Sequence, residues 1–236
     1  MIAVVCATWY ELDENKSCLQ ITDQGSWNDL QFLKGDLDGK PVLFARTGVG
    51  IKRARKGTSY IMQKFKPDLI VSAGLGGALR DGLRVGDIIV GEWVLSLRRN
   101  EKKMLFSDIG CLSTDFIKGG LLTEDRFINR PAEKRRLFDK TGALSVDMET
   151  WGVVEAADSY GAPVISVRSI SDDNQVELPD MRHFYSSCGE LRKLNAFEYL
   201  VFNPRLIYPF LRLILFDVRK STSVLNRFLK ELIQNC

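Results

Sequence analysis

Four short segments of the chain carry the side chains that could do chemistry: Ala7-Thr8-Trp9-Tyr10-Glu11, Ser72-Ala73-Gly74-Leu75-Gly76-Gly77-Ala78-Leu79, Ser145-Val146-Asp147-Met148-Glu149 and Ser166-Val167-Arg168-Ser169-Ile170-Ser171-Asp172. Each sets a carboxylate or a bare glycine-rich backbone directly after an apolar run. In an open α/β sheet the ends of neighbouring strands line one crevice, so acids far apart in the chain converge on one small ligand. The pattern predicts a pocket with several acids and no metal. His183 is the only histidine, which argues against histidine-based metal or triad chemistry. The cysteines, Cys6, Cys18, Cys111, Cys188 and Cys236, are odd in number and form no CxxC pair, so neither a disulfide framework nor a zinc knuckle is expected.

The elements that must position these residues follow from the punctuation of the chain. Ile2–Cys6 reads as a buried strand followed by a helix around Trp9–Ser17, and Asp38-Gly39 marks a hairpin between Asp29–Gly35 and Pro41–Arg46. Ile51–Phe65 has the length and composition of a helix ended by Pro67, with a short buried strand, Leu69–Ser72, behind it. Val85–Val90 begins another strand, and Arg98–Asp115 reads as a long excursion. Pro131–Lys140 is a helix with proline at its first position; strands Ala143–Val146 and Val164–Ile170 flank a helix from about Met148 to Tyr160. From Glu190 the pattern is helical, broken by Pro204 and Pro209. Alternating strands and helices predict a three-layer α/β/α fold around a central, mostly parallel or mixed twisted sheet. Residues 1–200 form the catalytic domain of this reading, and residues 201–236 a basic amphipathic helical tail packed on it or at an interface.

With 236 residues, 45% of them hydrophobic, the chain can bury a substantial core. Its start has no basic leader and meets Glu11 almost at once, so neither a signal peptide nor a membrane span is expected there, and a cytoplasmic location is the default. The net charge of +3 is unevenly placed. From Val201 onward six basic residues (Arg205, Arg212, Arg219, Lys220, Arg227, Lys230) face two acids (Asp217, Glu231), leaving 27 against 28, or −1, for residues 1–200. Attraction to anionic surfaces belongs to the tail, and the main body gives no case for nucleic-acid binding.

The motifs resemble those of the nucleoside phosphorylase/hydrolase superfamily, in particular the methylthioadenosine/S-adenosylhomocysteine nucleosidases, over about residues 1–175. LIVSAGLGGALRDGLRVGDIIV (Leu69–Val90) resembles that family's glycine-rich turn and following strand, and Phe127-Ile128-Asn129, Val146–Glu149 and Val167–Asp172 are similar, in the same order, to its base-binding, ribose-binding and acid segments. The run from Pro131 through Thr141-Gly142-Ala143 to Glu149, with the basic tail, most resembles the hopanoid-associated branch, whose members are thought to remove adenine from an adenosyl-lipid.

The resemblance implies roles residue by residue. Asp172 would protonate the departing purine, a general-acid contribution of roughly 10²–10⁴ in rate, with burial and the adjacent Asp173 favouring its protonated form; position alone reads more readily as a cap after a strand. Glu149 would accept hydrogen bonds from the ribose hydroxyls and set negative charge beside the electron-poor sugar, or is simply a first-turn helix acid. Glu11 aligns with the water-activating residue, through a weak segment, and otherwise reads as a solvated helix acid. Phe127 would stack on the base while the Ile128 backbone reads its edge, Met148 would pack on sugar or base, and Gly74, Leu75 and Gly76 would bring backbone amides to the sugar or nucleophile. Phe127 and Met148 also suit ordinary core positions.

Phosphorylases of the superfamily commonly hold phosphate with an arginine and a serine flanking the glycine turn, where this chain has Ser72 and Leu75; Arg46, Arg53 or Arg55 are the candidate substitutes. Water is therefore the favoured nucleophile. Thr150-Trp151 replace small residues, and Gln175 stands where many relatives have a second acid, which leaves the substrate's identity open. The expected activity is hydrolysis of the N-glycosidic bond of a purine (adenine) nucleoside, 5′-modified or lipid-linked. It needs no cofactor; phosphate is a co-substrate only under the alternative of a phosphorylase. A non-catalytic nucleoside-binding or membrane-associated regulatory protein is the reading from another class. The resemblance also implies a homo-oligomer. Leu206–Phe216 is apolar yet too short to span a bilayer, and with its basic neighbours it suits either peripheral membrane contact or packing on the fold.

Overall fold

The computed structural model describes residues 1–179 and 202–236; His183, Cys188 and the helical pattern expected from Glu190 to 201 lie outside them. β1 (Ile2–Cys6) leads through a short 3₁₀ turn, Trp9–Glu11, into α1 (Asp13–Cys18). Three antiparallel strands follow, β2 (Gln20–Trp27), β3 (Leu30–Leu37) and β4 (Lys40–Arg46). The β3–β4 turn is the expected Asp38-Gly39, both at positive φ. β2 carries no apolar alternation because every residue in it is exposed at the sheet edge, so the sequence does not announce it. α2 (Ile51–Phe65) stops where expected, with Lys66 in the left-handed conformation before Pro67.

β5 (Leu69–Ala78) corrects one expectation. The glycine-rich stretch does not turn after Ser72 but continues as strand. It is held by β10 (Val164–Asp172) on one side and β9 (Ser145–Asp147) on the other. The intervening elements are β6 (Ile88–Ser96), β7 (Glu101–Met104), β8 (Ile117–Thr123), α3 (Pro131–Thr141) and α4 (Thr150–Asp158). The region expected to be one long excursion thus contributes β7 as an added strand on β6. β5 pairs with β9, β9 with β8, β8 with β6, β6 with β10 and β10 with β5, so this half of the mixed sheet closes on itself instead of remaining open.

The other half stays open, with β1 parallel to both β4 and β5. Successive strand residues face opposite sides. Ala3 and Val5 enter one core cluster with Ala54 and Ile61 of α2 and Trp151, Val154 and Ala157 of α4. Val4 and Cys6 enter a second one. The helix that closes it comes from the end of the chain: α5 (Ile207–Arg212) passes through a π-helical segment, Leu213–Asp217, into α6 (Val218–Asn235). Pro209 does not break α5. It lies in the first turn, where the N–H it lacks has no intrahelical partner.

α6 buries Leu225, Phe228, Leu229, Leu232 and Ile233 completely. Its polar contacts reach both ends of the future site. Asn226 Nδ2 donates to the Glu11 carbonyl at 3.2 Å, Asn15 N and Nδ2 donate to Asn226, and Ser221 Oγ donates to the Ile170 carbonyl at 2.5 Å. Replacing Phe228 by alanine should cost about 3–5 kcal/mol of unfolding free energy, the range for a buried aromatic. Denaturant unfolding checks this; an unchanged midpoint would mean that α6 is an appendage and not part of the core.

Candidate active site

A charged group inside an apolar strand organises the region. Arg168 of β10 is 1% exposed, and all five of its N–H groups are used: Nε donates to Asp147 Oδ2 at 2.6 Å, Nη1 to the Ser72 and Val167 carbonyls, Nη2 to Ser72 Oγ and Thr150 Oγ1. Asp147 is satisfied in turn by Thr123 Oγ1 at 2.7 Å, by Thr150 Oγ1 and by the Glu149 and Thr150 backbone N–H groups. Neither Arg168 nor Asp147 was singled out above, although a lone arginine in the run Val-Ile-Ser-Val-Arg-Ser-Ile signals a buried partner. Thr150 and Trp151 prove to be core: the first serves this network and the second is 1% exposed.

Glu11 stands against this network. Its Oε2 accepts from the Ala7 and Thr8 N–H groups at 2.9 and 2.8 Å, and Oε1 accepts from the Leu75 N–H at 3.2 Å. It is 7% exposed, not a solvated helix acid. Burial raises its carboxyl above the ordinary range, against the pull of the Thr8, Leu75 and Ala7 amides and of Arg168. The glycines of β5 make this packing feasible. A Cβ on Gly74 would lie 2.9 Å from Glu11 Oε1, and one on Gly76 would lie 2.4 Å from Ser145 Oγ. The glycines admit protein side chains first, and the Leu75 amide goes to Glu11.

Glu149 caps α4 and borders the same space, half-buried. Gly50 N–H donates to its Oε1 at 2.8 Å and Met148 N–H to its Oε2 at 3.2 Å. Burial first, then repulsion from Asp147 and Glu11, pushes its carboxyl up to about 8. Near neutral pH it is therefore mostly protonated.

Asp172 ends β10, 5% exposed, opposite Gly77 of β5. Its Oδ1 accepts from Ser171 Oγ at 2.7 Å, and its Oδ2 from Lys134 Nζ of α3, which is itself fully buried. Asp173 does not crowd it: that carboxylate turns back to accept from the Gln175 and Val176 N–H groups. Gln175 is exposed. Gly74 and Gly77 are three residues apart along the strand, about 10 Å at the usual rise. Glu11 Oε1 thus lies against Gly74 and Asp172 Oδ2 against Gly77, positions of opposite parity along the strand. Phe127 and Met148 are half-buried, while Ile128 is buried with Leu79, Leu122 and Val146. The following Asn129 is tied to Leu178 through its carbonyl and its Nδ2. Arg53 pairs with Asp29 and Arg55 with Glu155, and Arg46 Nη2 donates to the Asp29 carbonyl. Among the described residues no group of three or more His, Cys, Asp or Glu could hold a metal ion.

Residues 1–107 and 105–190 match the family model of the phosphorylase superfamily, and the chain belongs to that superfamily. Its relatives include 5′-methylthioadenosine/S-adenosylhomocysteine nucleosidases. That of Bacillus pumilus is 26% identical over 196 residues, 72% of this chain and 85% of its own length. That of Shewanella halifaxensis is 23% identical over 175 residues, 64% and 76%. The fold is that of the Neisseria meningitidis nucleosidase solved with methylthio-immucillin-A (TM-score 0.75, 15% identity, 100% of this chain and 99% of that one). It is equally that of the futalosine hydrolase of Helicobacter pylori (TM-score 0.74, 17% identity, 100% and 97%). With nucleosidases as its relatives, the chain is an enzyme of this superfamily.

A carboxyl raised to about 8 from 4.5 favours the folded state while protonated, so Glu149's contribution is complete below about pH 4.5 and declines until pH passes about 8. The melting temperature of the wild type, measured against Glu149→Gln, should fall across that interval and level off above it. Parallel curves for the two proteins would remove Glu149 as the titrating group.

Proposed function

We propose that the protein hydrolyses the N-glycosidic bond of an adenine nucleoside. The observation that carries this reading is that Glu11 lies against Gly74 and Leu75, and Asp172 against Gly77, of one strand, with Glu149 near enough to Glu11 for the two charges to repel. Glycosidic cleavage needs a proton for the leaving base and negative charge or acceptors around a sugar that becomes cationic. In this reading Asp172 protonates the purine as the C1′–N9 bond breaks and its electron pair leaves with the base. Glu149 accepts hydrogen bonds from the ribose hydroxyls. Glu11, fixed by three amides, takes a proton from the water that attacks C1′. Phe127 and Met148 flank base and sugar.

Water is favoured over phosphate because the arginine beside the glycines, Arg168, spends every donor on protein acceptors. A phosphate clamp needs a free charged fork. Adenine release should therefore proceed in phosphate-free buffer. Asp172→Asn should lower turnover on the order of 10²-fold with nucleoside binding retained, and Glu11→Gln should suppress it as well. Strict phosphate dependence with ribose 1-phosphate as product would replace this reading by a phosphorylase; tight nucleoside binding without adenine release would replace it by a binding protein.

The 5′ substituent is read as apolar, up to an adenosyl-lipid of the kind the resemblance to the hopanoid-associated branch implies. The specific support is the face of α5 and the π segment. Tyr208, Leu211, Leu215 and Phe216 are exposed there at helical spacing, with Arg205, Arg212, Arg219 and Lys220 beside them. No helix among the described residues is long and apolar enough to cross a membrane, whereas an amphipathic face with basic flanks suits an anionic surface. Arg205 also pairs with Glu177, next to the Leu178 that holds Asn129, so this face begins beside the Phe127–Asn129 segment to which base contact is assigned in this reading. Exposed Tyr10, Met104 and Phe106 support the homo-oligomer that the resemblance implies. The protein should bind phosphatidylserine-containing vesicles and release them as rising salt shortens the screening length below about 10 Å. Replacing Tyr208, Leu211, Leu215 and Phe216 together by serine should abolish binding and leave the melting temperature unchanged. Vesicle binding unaffected by those changes would place the contact elsewhere.

A further inference from the structure

Lysine is almost never fully buried without a partner. Lys134 is completely buried, and its ammonium donates to Asp172 Oδ2 and to the Asp173 carbonyl. The other oxygen of Asp172 accepts from Ser171 Oγ. A fully buried ammonium needs an anionic partner, and Asp172 is the carboxylate it reaches. A general acid must hold a proton to give. The charged groups around the pair are otherwise engaged: Glu133 with Arg126, Asp81 with Asn174, and Asp173 with the amides of its own turn. Of the two groups donating to Asp172, the Lys134 ammonium is by far the stronger acid.

We propose that Lys134 is the proton source for Asp172, so that the acid of this site is the Lys134–Asp172 pair and not the aspartate alone. This rests on the hydrolytic reading above. As the C1′–N9 bond breaks, an N–H bond of Lys134 breaks and an O–H bond forms on Asp172. That proton passes to the purine nitrogen carrying the developing charge, so the base leaves neutral and Lys134 is left as an amine. The attacking water supplies its oxygen to C1′ and a proton to Glu11. Glu11 then loses a proton to solvent and Lys134 regains one, which balances the turnover as nucleoside plus water to sugar plus base. The lysine acts through Asp172 and is a positioning residue that also carries the proton inventory.

The arginine substitution separates this role from a structural one. Arginine keeps the positive charge and the donors, yet it holds its proton at any working pH. With 5′-methylthioadenosine as probe, both Lys134→Met and Lys134→Arg should lower kcat at neutral pH on the order of 10²-fold, the scale of a general-acid contribution. KM should change by no more than about 2-fold, since the pair acts on the transition state. Both variants should recover turnover on acidification, because Asp172 must then draw its proton from solvent. If Lys134→Met does not fold, Lys134→Arg carries the test. Wild-type kcat in Lys134→Arg would overturn the proposal and leave the lysine a counter-ion. So would a loss of activity that is equal at all pH values and accompanied by a lowered melting temperature. Failure of the hydrolytic reading is distinguishable: the wild type itself would then release no adenine.

Discussion

The guanidinium of Arg168 is buried in the middle of a strand whose other side chains, up to the terminal Asp172, are apolar or hydroxyl-bearing, and the neighbourhood is arranged around meeting its cost. An unpaired charge there would be strongly destabilising. Asp147 faces it from β9, Ser72 from β5 and Thr150 from the first turn of α4, so three separate elements are tied to β10 at one point. The same Asp147 accepts the backbone N–H groups of Glu149 and Thr150, which sets the start of α4 and hence the direction of Glu149. The closed half of the sheet has its junction here, where β5, β9 and β10 meet.

That arrangement divides the acids by environment. Glu149 is held next to two other carboxylates and is driven toward its neutral form. Glu11, more deeply buried, is partly compensated by three amides and by Arg168. Asp172 is compensated by an ammonium and a hydroxyl. Three chemically similar side chains are thereby held in different surroundings, and on the proposed reading such differences serve the acid and base steps that one pH must support.

The end of the chain is divided in the same way. α6 is core: it fills the second hydrophobic cluster and bonds the Glu11 and Ile170 carbonyls. α5 and the π segment turn much of their apolar surface outward. A cut after Asn203 would therefore remove structural and surface roles together, whereas side-chain changes on α5 separate them.

Much of this was legible in the sequence for local reasons. Asp38-Gly39 and Pro67 act within a few residues, so the hairpin and the end of α2 could be read directly. The acids Glu11, Glu149 and Asp172 follow apolar runs, and strand ends are where such runs deliver side chains. β2 could not be read, because a strand exposed along its whole length carries no periodicity. Nor could the continuation of β5 through its glycines, since their backbone is decided by the partner strands and by the carboxylate of Glu11, 63 residues away from Gly74 in the chain. Along α3 Lys134 is one cation among several, with Arg135, Arg136 and Lys140. Only the packing of α3 against the end of β10 removes it from water and sets it on Asp172. Residue type and local spacing therefore determined which groups exist and where each strand or helix begins. Tertiary structure decided which of them lose their water and whom they face, because burial and pairing depend on contacts between residues far apart in the chain.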